Sequence, residues 1–500
     1  MDDLSCKLLV IGAGPGGYTC AIRAGQLGVD TIVIEAQRPG GTCLNVGCIP
    51  SKALIHAAEQ FETVLRAASG NSQFGIKTSP PELDFSQTVA WKDNIVRRLN
   101  DGVAGLLRKA GAKLITGRAR FRDGKTVEVS TPSGVQTIHA ETIVVATGSE
   151  PASLPMLAFG GPVISSTEAL ALTEIPKKLV VIGGGYIGLE LGTAYSKMGS
   201  DVTVVEAEPR ILPQYDTELT APVARRLREL GVTVLTGTKA KGLASGGTAL
   251  SVETAAGESA TLAADKILVT VGRKPVTSGF GLDLLDLDMN GRLIQIDDQC
   301  RTSMRGVYAI GDVTGEPMLA HRAIAQGEMV AELVAGKRRA WDKVCVPAIC
   351  FTDPEIVIAG LSPEEAKATG LTIKTDSFPF RANGRALTLD REDGFIRIVA
   401  RADKHLARHP GRRCRDCGAV GSLRSCNRDG RAPRRRCRDD FCASNPERGF
   451  SRGCAEVIGA RDPHLKQIDG RHSPTALRVC CGSGGATALR RPRQTYDVSS

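Results

Sequence analysis

The 500-residue sequence predicts an α/β fold: two successive parallel-sheet units, then the opening of an α+β unit. Three observations carry this. An apolar run, a glycine-rich loop, a helical repeat and a second apolar run occur in that order twice, at 7–35 and at 179–206. Between 345 and 403 the pattern changes to short segments that read as antiparallel strands around one capped helix. After 403 hydrophobic periodicity stops.

Length and composition set limits. Five hundred residues suggest about three domains, and 42% hydrophobic content is ordinary for globular chains. No apolar run reaches the length of a membrane span. MDDLSCKLLVIG has no basic region followed by an apolar stretch and a cleavage site. The expectation is a cytoplasmic protein without membrane or nucleic-acid partners, in which paired cysteines are more often catalytic than structural. The net charge of +10 is local. Residues 404–500 hold 21 Lys and Arg against 9 Asp and Glu, leaving the rest near neutral.

Residues 7–11 read as a buried parallel strand, followed by Gly12-Ala-Gly14-Pro-Gly16-Gly17 and a helix. The next strand, 31–34, ends at Glu35. This is a Rossmann-like dinucleotide fingerprint. Glycines admit the pyrophosphate to the helix N-terminus, and the acid takes ribose hydroxyls.

Just downstream lies GGTCLNVGCIPSK, 40–52, with Cys43 and Cys48 separated by four residues. A disulfide closing so short a loop is expected to be readily reduced, which points to electron transfer. Two unrelated buried thiols are the bland alternative. Lys52 falls on the helix that the cysteine segment begins, where a cation stabilises a thiolate or a reduced, anionic ring.

Residues 56–110 read as helices interrupted by a loop near 69–81. Strands are expected at 114–120, 126–129, 137–139 and 141–145, the last leading to Ala146-Thr147-Gly148. Pro151 and Pro155 mark a boundary. The second fingerprint has its strand at 179–182, the loop Gly183-Gly-Gly185-Tyr186-Ile187-Gly188, a helix at 189–198, a strand at 201–205 and the acid Glu206. Glu206 favours NAD, since a carboxylate repels a 2′-phosphate. Glu190 reads either as a partner of Lys52 or as a surface carboxylate. Strands at 266–271 and 307–310 end at Gly272-Arg273 and Gly311-Asp312, and a helix starts within 317–327. Strands follow at 347–352, 356–361, 372–380 and 394–399, with a capping box at Ser362-Pro-Glu-Glu.

GAGPGGYTCAIRAGQLG, GGTCLNVGCIPSKAL, GGGYIGLELG, VGRKP, AIGDV and MLAHRAIAQG, in this order, resemble the flavoprotein disulfide reductases, most of all their dihydrolipoamide dehydrogenase branch. The likeness runs to about residue 403. It implies FAD at the first site and NAD at the second, with Cys43 exchanging with a lipoyl dithiol and Cys48 facing the flavin. It makes Cys43, Cys48, Lys52 and Glu190 catalytic. Gly12, Gly14, Gly17, Glu35, Gly41, Thr42, Lys52, Ala119, Thr147, Gly148, Asp312, Met318, Leu319, Ala320 and His321 become FAD contacts. Gly183, Gly185, Tyr186, Ile187, Gly188, Glu206, Val271, Gly272 and Arg273 become NAD contacts. The domains expected are 1–150 and 276–345 for FAD, 151–275 for NAD and 346–403 for the start of a dimerisation domain. The partners implied are a second copy of the chain and the lipoyl-bearing acyltransferase of a 2-oxo acid dehydrogenase complex. Glutathione- and mercuric-type reductases are the nearest alternatives, but they use NADP and usually carry basic residues where Glu206 stands.

The resemblance also implies a C-terminal His-Pro-Thr-x-x-Glu whose imidazole accepts the dithiol proton. This sequence lacks it, which leaves open a flavoprotein limited to reducing artificial acceptors. Residues 404–500 read instead as an Arg- and Cys-rich, disordered tail. A reading-frame slip near 406–408 would account for the change. Codons for 408–422 and 439–450 can be chosen that, read one base later, spell family-like segments, the second with His-Pro-Thr and its Glu. Two other readings of the tail are a zinc or nucleic-acid module on Cys414, Cys417, Cys426 and Cys437, and a redox pair at Cys480 and Cys481. Neither has well-formed spacing or context, and no metal is expected.

Overall fold

In a computed structural model of the chain, residues 3–244, 247–341 and 346–402 and the backbone of 477–481 are described. They fall into two compact units, one of residues 1–346 with 350–353, the other of 347–349 with 354–500.

The first unit holds two mainly parallel sheets. One runs in the order Lys113–Thr116, Thr31–Glu35, Leu4–Ile11, Gly134–Val145, Thr126–Thr131, Arg118–Phe121, and Val307–Ala309 also pairs with Gly134–Val145. Leu8 and Val10 pack into one core cluster, Leu9 and Ile11 into another. That period-two division covers both faces, as a parallel sheet requires. The second sheet is parallel throughout: Thr233–Leu235, Asp201–Val205, Lys178–Ile182, Lys266–Val269, Val163–Ile164.

The structure merges two expected strands. Residues 137–139 and 141–145 belong to one strand, Gly134–Val145. Its first half pairs antiparallel with Thr126–Thr131 and its second half parallel with Leu4–Ile11, so the backbone stays extended across the junction.

Helices Pro15–Gln26 and Ala320–Val334 cross at van der Waals distance because of a glycine. A Cβ on Gly327 would lie 2.3 Å from the Gly16 carbonyl oxygen. The crossing sets the first turn of Ala320–Val334 against Gly16, where an added Cβ would lie 3.0 Å from the Ala323 carbonyl oxygen.

In the second unit, Ile373–Pro379 pairs antiparallel with Phe395–Arg401, and the capping box closes as expected, with Ser362 and Glu365 each accepting from the other's backbone N–H. Leu477–Cys481 lies between Glu355–Ile358 and Phe395–Arg401 as a central strand. The expectation of a wholly disordered tail is corrected for these five residues: their backbone satisfies two strand edges at once. The remaining tail readings, including the frame slip and the Cys414–Cys437 group, lie outside the described residues.

Candidate redox centre and nucleotide sites

Both fingerprints fold into the same local device. Helices Pro15–Gln26 and Tyr186–Lys197 start at Gly14 and Gly185 with no side chain capping them. Elsewhere Asp84, Asp216 and Ser362 cap their helices. Glu35 accepts from the N–H of Ala13 at 2.8 Å and of Gln37 at 3.0 Å. Glu206 accepts from Gly184 at 2.5 Å and from Glu208 at 2.7 Å. Each acid is thereby fixed beside an uncapped helix N-terminus, the arrangement that receives a nucleotide's ribose and pyrophosphate.

The glycines divide by what a side chain would meet. A Cβ on Gly12 would lie 2.4 Å from the Ala146 oxygen, on Gly17 1.9 Å from the Gly12 oxygen, and on Gly188 2.3 Å from the Gly183 oxygen. Those three allow the chain to pack on itself. A Cβ on Gly14 would meet only the Gly41 Cα at 3.9 Å, and one on Gly185 would meet nothing within 4 Å. Space is kept open there on the outer side of the loop, which fits a ligand backbone approaching the helix end.

The cysteine segment touches the first loop through glycine. Gly41, at φ +55, would bring a Cβ within 2.6 Å of the Gly14 Cα. Cys43 lies on the five-residue helix Gly41–Asn45 and Cys48 opens the helix Cys48–Ala68. Val46 and Gly47 interrupt the helix between them. Asn45 pins the short helix by donating to the carbonyls of Gly41, Arg38 and Pro39. The two side chains lie close enough for each to bear on the other's ionisation.

The pair is unequal. A hydrogen bond from Cys43, the Lys52 charge and Cys48's own backbone N–H lower Cys48, against burial and Glu190. Cys43 is pushed up by the same hydrogen bond, by burial and by the charge on Cys48. A thiolate therefore belongs on Cys48, at a helix N-terminus.

Lys52, one turn beyond Cys48, sits with Nζ 3.6 Å from the centroid of the Phe351 ring. Glu190 is 6% exposed and accepts from the Phe351 N–H at 2.8 Å. The surface-carboxylate reading of Glu190 is therefore excluded. Lys52 and Glu190 interact through space without a direct salt bridge. Burial raises the Glu190 carboxyl, against Lys52 and the Phe351 N–H. Burial also pushes Tyr18 up to about 12, followed by the charges of Cys43 and Cys48.

The other expected site residues distribute as follows. Thr147 and Gly148 leave the strand Gly134–Val145 beside Gly12, with the Thr147 hydroxyl donating to the Val276 carbonyl at 2.7 Å. Ala119 stands on Arg118–Phe121, joined to Glu35 by the Gly117 N–H at 2.9 Å. Asp312 accepts from the Ser149 hydroxyl at 2.5 Å. Met318, Leu319, Ala320 and His321 lead into Ala320–Val334. Val271 and Gly272 follow the strand Lys266–Val269, near Gly183. Arg273, grouped by sequence with the second site, instead donates to Thr42 at 3.3 Å and to Ser149 at 2.8 Å. It thus joins Thr42, assigned to the first site, and Ser149, which bonds to Asp312 of that site. Ser149, Tyr18 and Phe351 escape the sequence reading, because an isolated hydroxyl or aromatic ring carries no spacing signal.

A family model described as pyridine nucleotide-disulphide oxidoreductase matches residues 6–327. A second, described as the dimerisation domain of pyridine nucleotide-disulphide oxidoreductases, matches 346–406. The chain is 59% identical over 404 residues to a dihydrolipoyl dehydrogenase of Pseudomonas aeruginosa, covering 81% of this chain and 86% of that one. It is 44% identical over 402 residues to a dihydrolipoyl dehydrogenase of Geobacillus stearothermophilus, covering 80% and 85%. Among solved structures, LpdA from Mycobacterium tuberculosis superposes with a TM-score of 0.72 at 27% identity, covering 79% of this chain and 87% of that one.

Proposed function

The chain belongs to the pyridine nucleotide-disulphide oxidoreductase family, and we propose that it acts within it as a dihydrolipoyl dehydrogenase. The observation that carries this is the unequal thiol pair Cys43–Cys48 set between two nucleotide-type helix ends, in a chain so close to enzymes of that name. The substrate is a dihydrolipoyl group on the acyltransferase of a 2-oxo acid dehydrogenase complex. The chain works as a homodimer.

In the oxidised enzyme Cys43 and Cys48 form a disulfide. A substrate thiolate attacks Cys43, displacing Cys48 as thiolate. The second substrate thiol then displaces Cys43, leaving lipoyl disulfide and a dithiol enzyme. Two electrons and one proton pass on to NAD, and one proton is released. Bound FAD supplies the two-electron relay between the dithiol and the nicotinamide. Lys52 holds the negative charge of Cys48, and Cys43 donates its hydrogen bond to that sulfur. The uncapped helix ends at Gly14 and Gly185 bind FAD and NAD pyrophosphates respectively. Asp312, tied to Ser149 and through it to Arg273, contributes to the FAD site. Glu206 selects NAD. Arg210, close by in sequence, is committed to the carbonyls of Pro213 and Tyr215 rather than free for a 2′-phosphate.

The test is NAD reduction by dihydrolipoamide with the native protein; the 500-residue chain as written, lacking the proton acceptor, is expected to reduce artificial acceptors only. Cys43→Ser and Cys48→Ser abolish that NAD reduction, and sustained turnover in either variant refutes the assignment. We further infer a reading-frame slip near residue 406, where the dimerisation match ends. The proton acceptor His-Pro-Thr-x-x-Glu is then restored in the shifted frame. Intact mass of the native protein checks this: the mass of the written tail overturns it.

A further inference from the structure

The helix Ala320–Val334 carries two buried polar side chains one turn apart, Arg322 and Gln326. Both turn back to the loop 311–319 that precedes their helix. Gln326 Oε1 accepts from the Gly311 N–H at 2.8 Å, at the start of the loop. Arg322 takes the far half. One of its terminal nitrogens donates to the Gly315 carbonyl and, at 3.4 Å, to that of Pro317. The other donates to the Thr314 hydroxyl at 2.7 Å and to the Thr314 carbonyl at 3.4 Å. The Thr314 hydroxyl carries the connection on, donating to the Gly311 carbonyl at 2.8 Å.

This arginine stands in an unfavourable place. It lies in the first turn of a helix, the end at which the dipole disfavours a cation. Burial pulls its pKa down, and Cys300, Asp312 and Glu316 oppose this only through space. Among the described residues no carboxylate forms an ion pair with it. What it satisfies is the loop. The carbonyls of residues 314, 315 and 317 converge on one guanidinium, and their dipoles would repel one another without a cation bearing several N–H donors. At one end of that loop is Asp312, held by the Ser149 hydroxyl at 2.5 Å. At the other are Met318 to Ala320, where the helix begins without a side-chain cap.

We propose that Arg322 is a positioning residue of the first nucleotide site: by gathering the loop carbonyls it sets Asp312 and Met318 to Ala320 at the spacing that FAD requires. It acts through the loop, and the proposal rests on the reading of that site as the FAD site.

The experiment follows FAD release from the full-length holoenzyme, by ultrafiltration and flavin fluorescence of the filtrate. Arg322→Met releases FAD about 10- to 100-fold faster, as expected for losing hydrogen bonds from a charged donor. Arg322→Lys keeps a cation with several donors and stays within about threefold of wild type. Thr314→Val removes the hydroxyl link, and speeds release by about three- to tenfold. It removes no buried charge, so it carries the test should Arg322→Met fold poorly. On the Arg322→Met background Thr314→Val adds less than about twofold, because both act on one path. NADH binding at the second site, read by quenching of protein fluorescence, stays within about twofold of wild type in Thr314→Val and Arg322→Lys.

Arg322→Met and Thr314→Val proteins that hold FAD like the wild type overturn the proposal. So does an Arg322→Lys protein as leaky as Arg322→Met, or effects of the two sites that simply multiply. Loss of NADH binding in step with FAD in Thr314→Val marks general damage and overturns it too. A wild-type protein that takes up no FAD sinks the reading of the site itself.

Discussion

Gly185→Ala separates a ligand glycine from a structural one. Gly185 has φ −77 and ψ 175, which alanine adopts freely, and its added Cβ meets no atom within 4 Å. The folded protein loses nothing, and the unfolded chain loses conformational freedom, so the apoprotein gains about 0.4–1 kcal/mol. The methyl group nevertheless fills the space through which a pyrophosphate reaches the helix N–H groups. Losing one hydrogen bond to a charged oxygen costs about 1.5–3 kcal/mol, or about 10- to 150-fold in NADH affinity. Gly188→Ala is the control. Its Cβ would lie 2.3 Å from the Gly183 oxygen and 2.5 Å from the Thr270 hydroxyl, so it destabilises by about 1–3 kcal/mol. Urea unfolding and NADH titration give both quantities. A Gly185→Ala protein that binds NADH like the wild type, or that unfolds at lower urea, would show that the open space has another purpose.

Three other outcomes are expected. Gly14→Ala leaves apoprotein unfolding unchanged or slightly strengthened while lowering FAD retention on gel filtration, since its Cβ makes only an ordinary 3.9 Å contact. Lys197→Met leaves Asp353 and Glu62 short of one buried counter-charge, costing about 3 kcal/mol in urea unfolding; a cost under 1 kcal/mol would mean that Arg226 alone suffices. Burial raises the Glu332 carboxyl, but Arg23 and Arg339 outweigh it and bring it to about 2. Its folded value is thus depressed below the unfolded one of about 4.3. The stabilisation it supplies is complete above that pH and is lost as pH falls towards about 2, so wild type and Glu332→Gln converge in urea midpoint across that window.

Much of the centre was legible because its requirements are local. A tight turn at a strand end, an uncapped helix start and an acid closing the next strand are encoded within about thirty residues each. The spacing of Cys43 and Cys48 and the placement of Lys52 one turn on are equally local. The strand 134–145 was less legible, because its two halves pair with different neighbours and in opposite senses.

The sequence by itself determined the repeated α/β plan, the two nucleotide loops and the dithiol, since backbone sterics and short-range spacing express them directly. Only the tertiary structure sorted the glycines into those that pack the chain and those that leave room beside it. It alone brought Arg273 onto Thr42, buried Glu190, and laid Phe351 over Lys52 with Asp353 anchored behind it. The reason is physical. These contacts join residues far apart along the chain through the crossing of helices and sheets, and no periodicity along the sequence records which distant ring will face which charge.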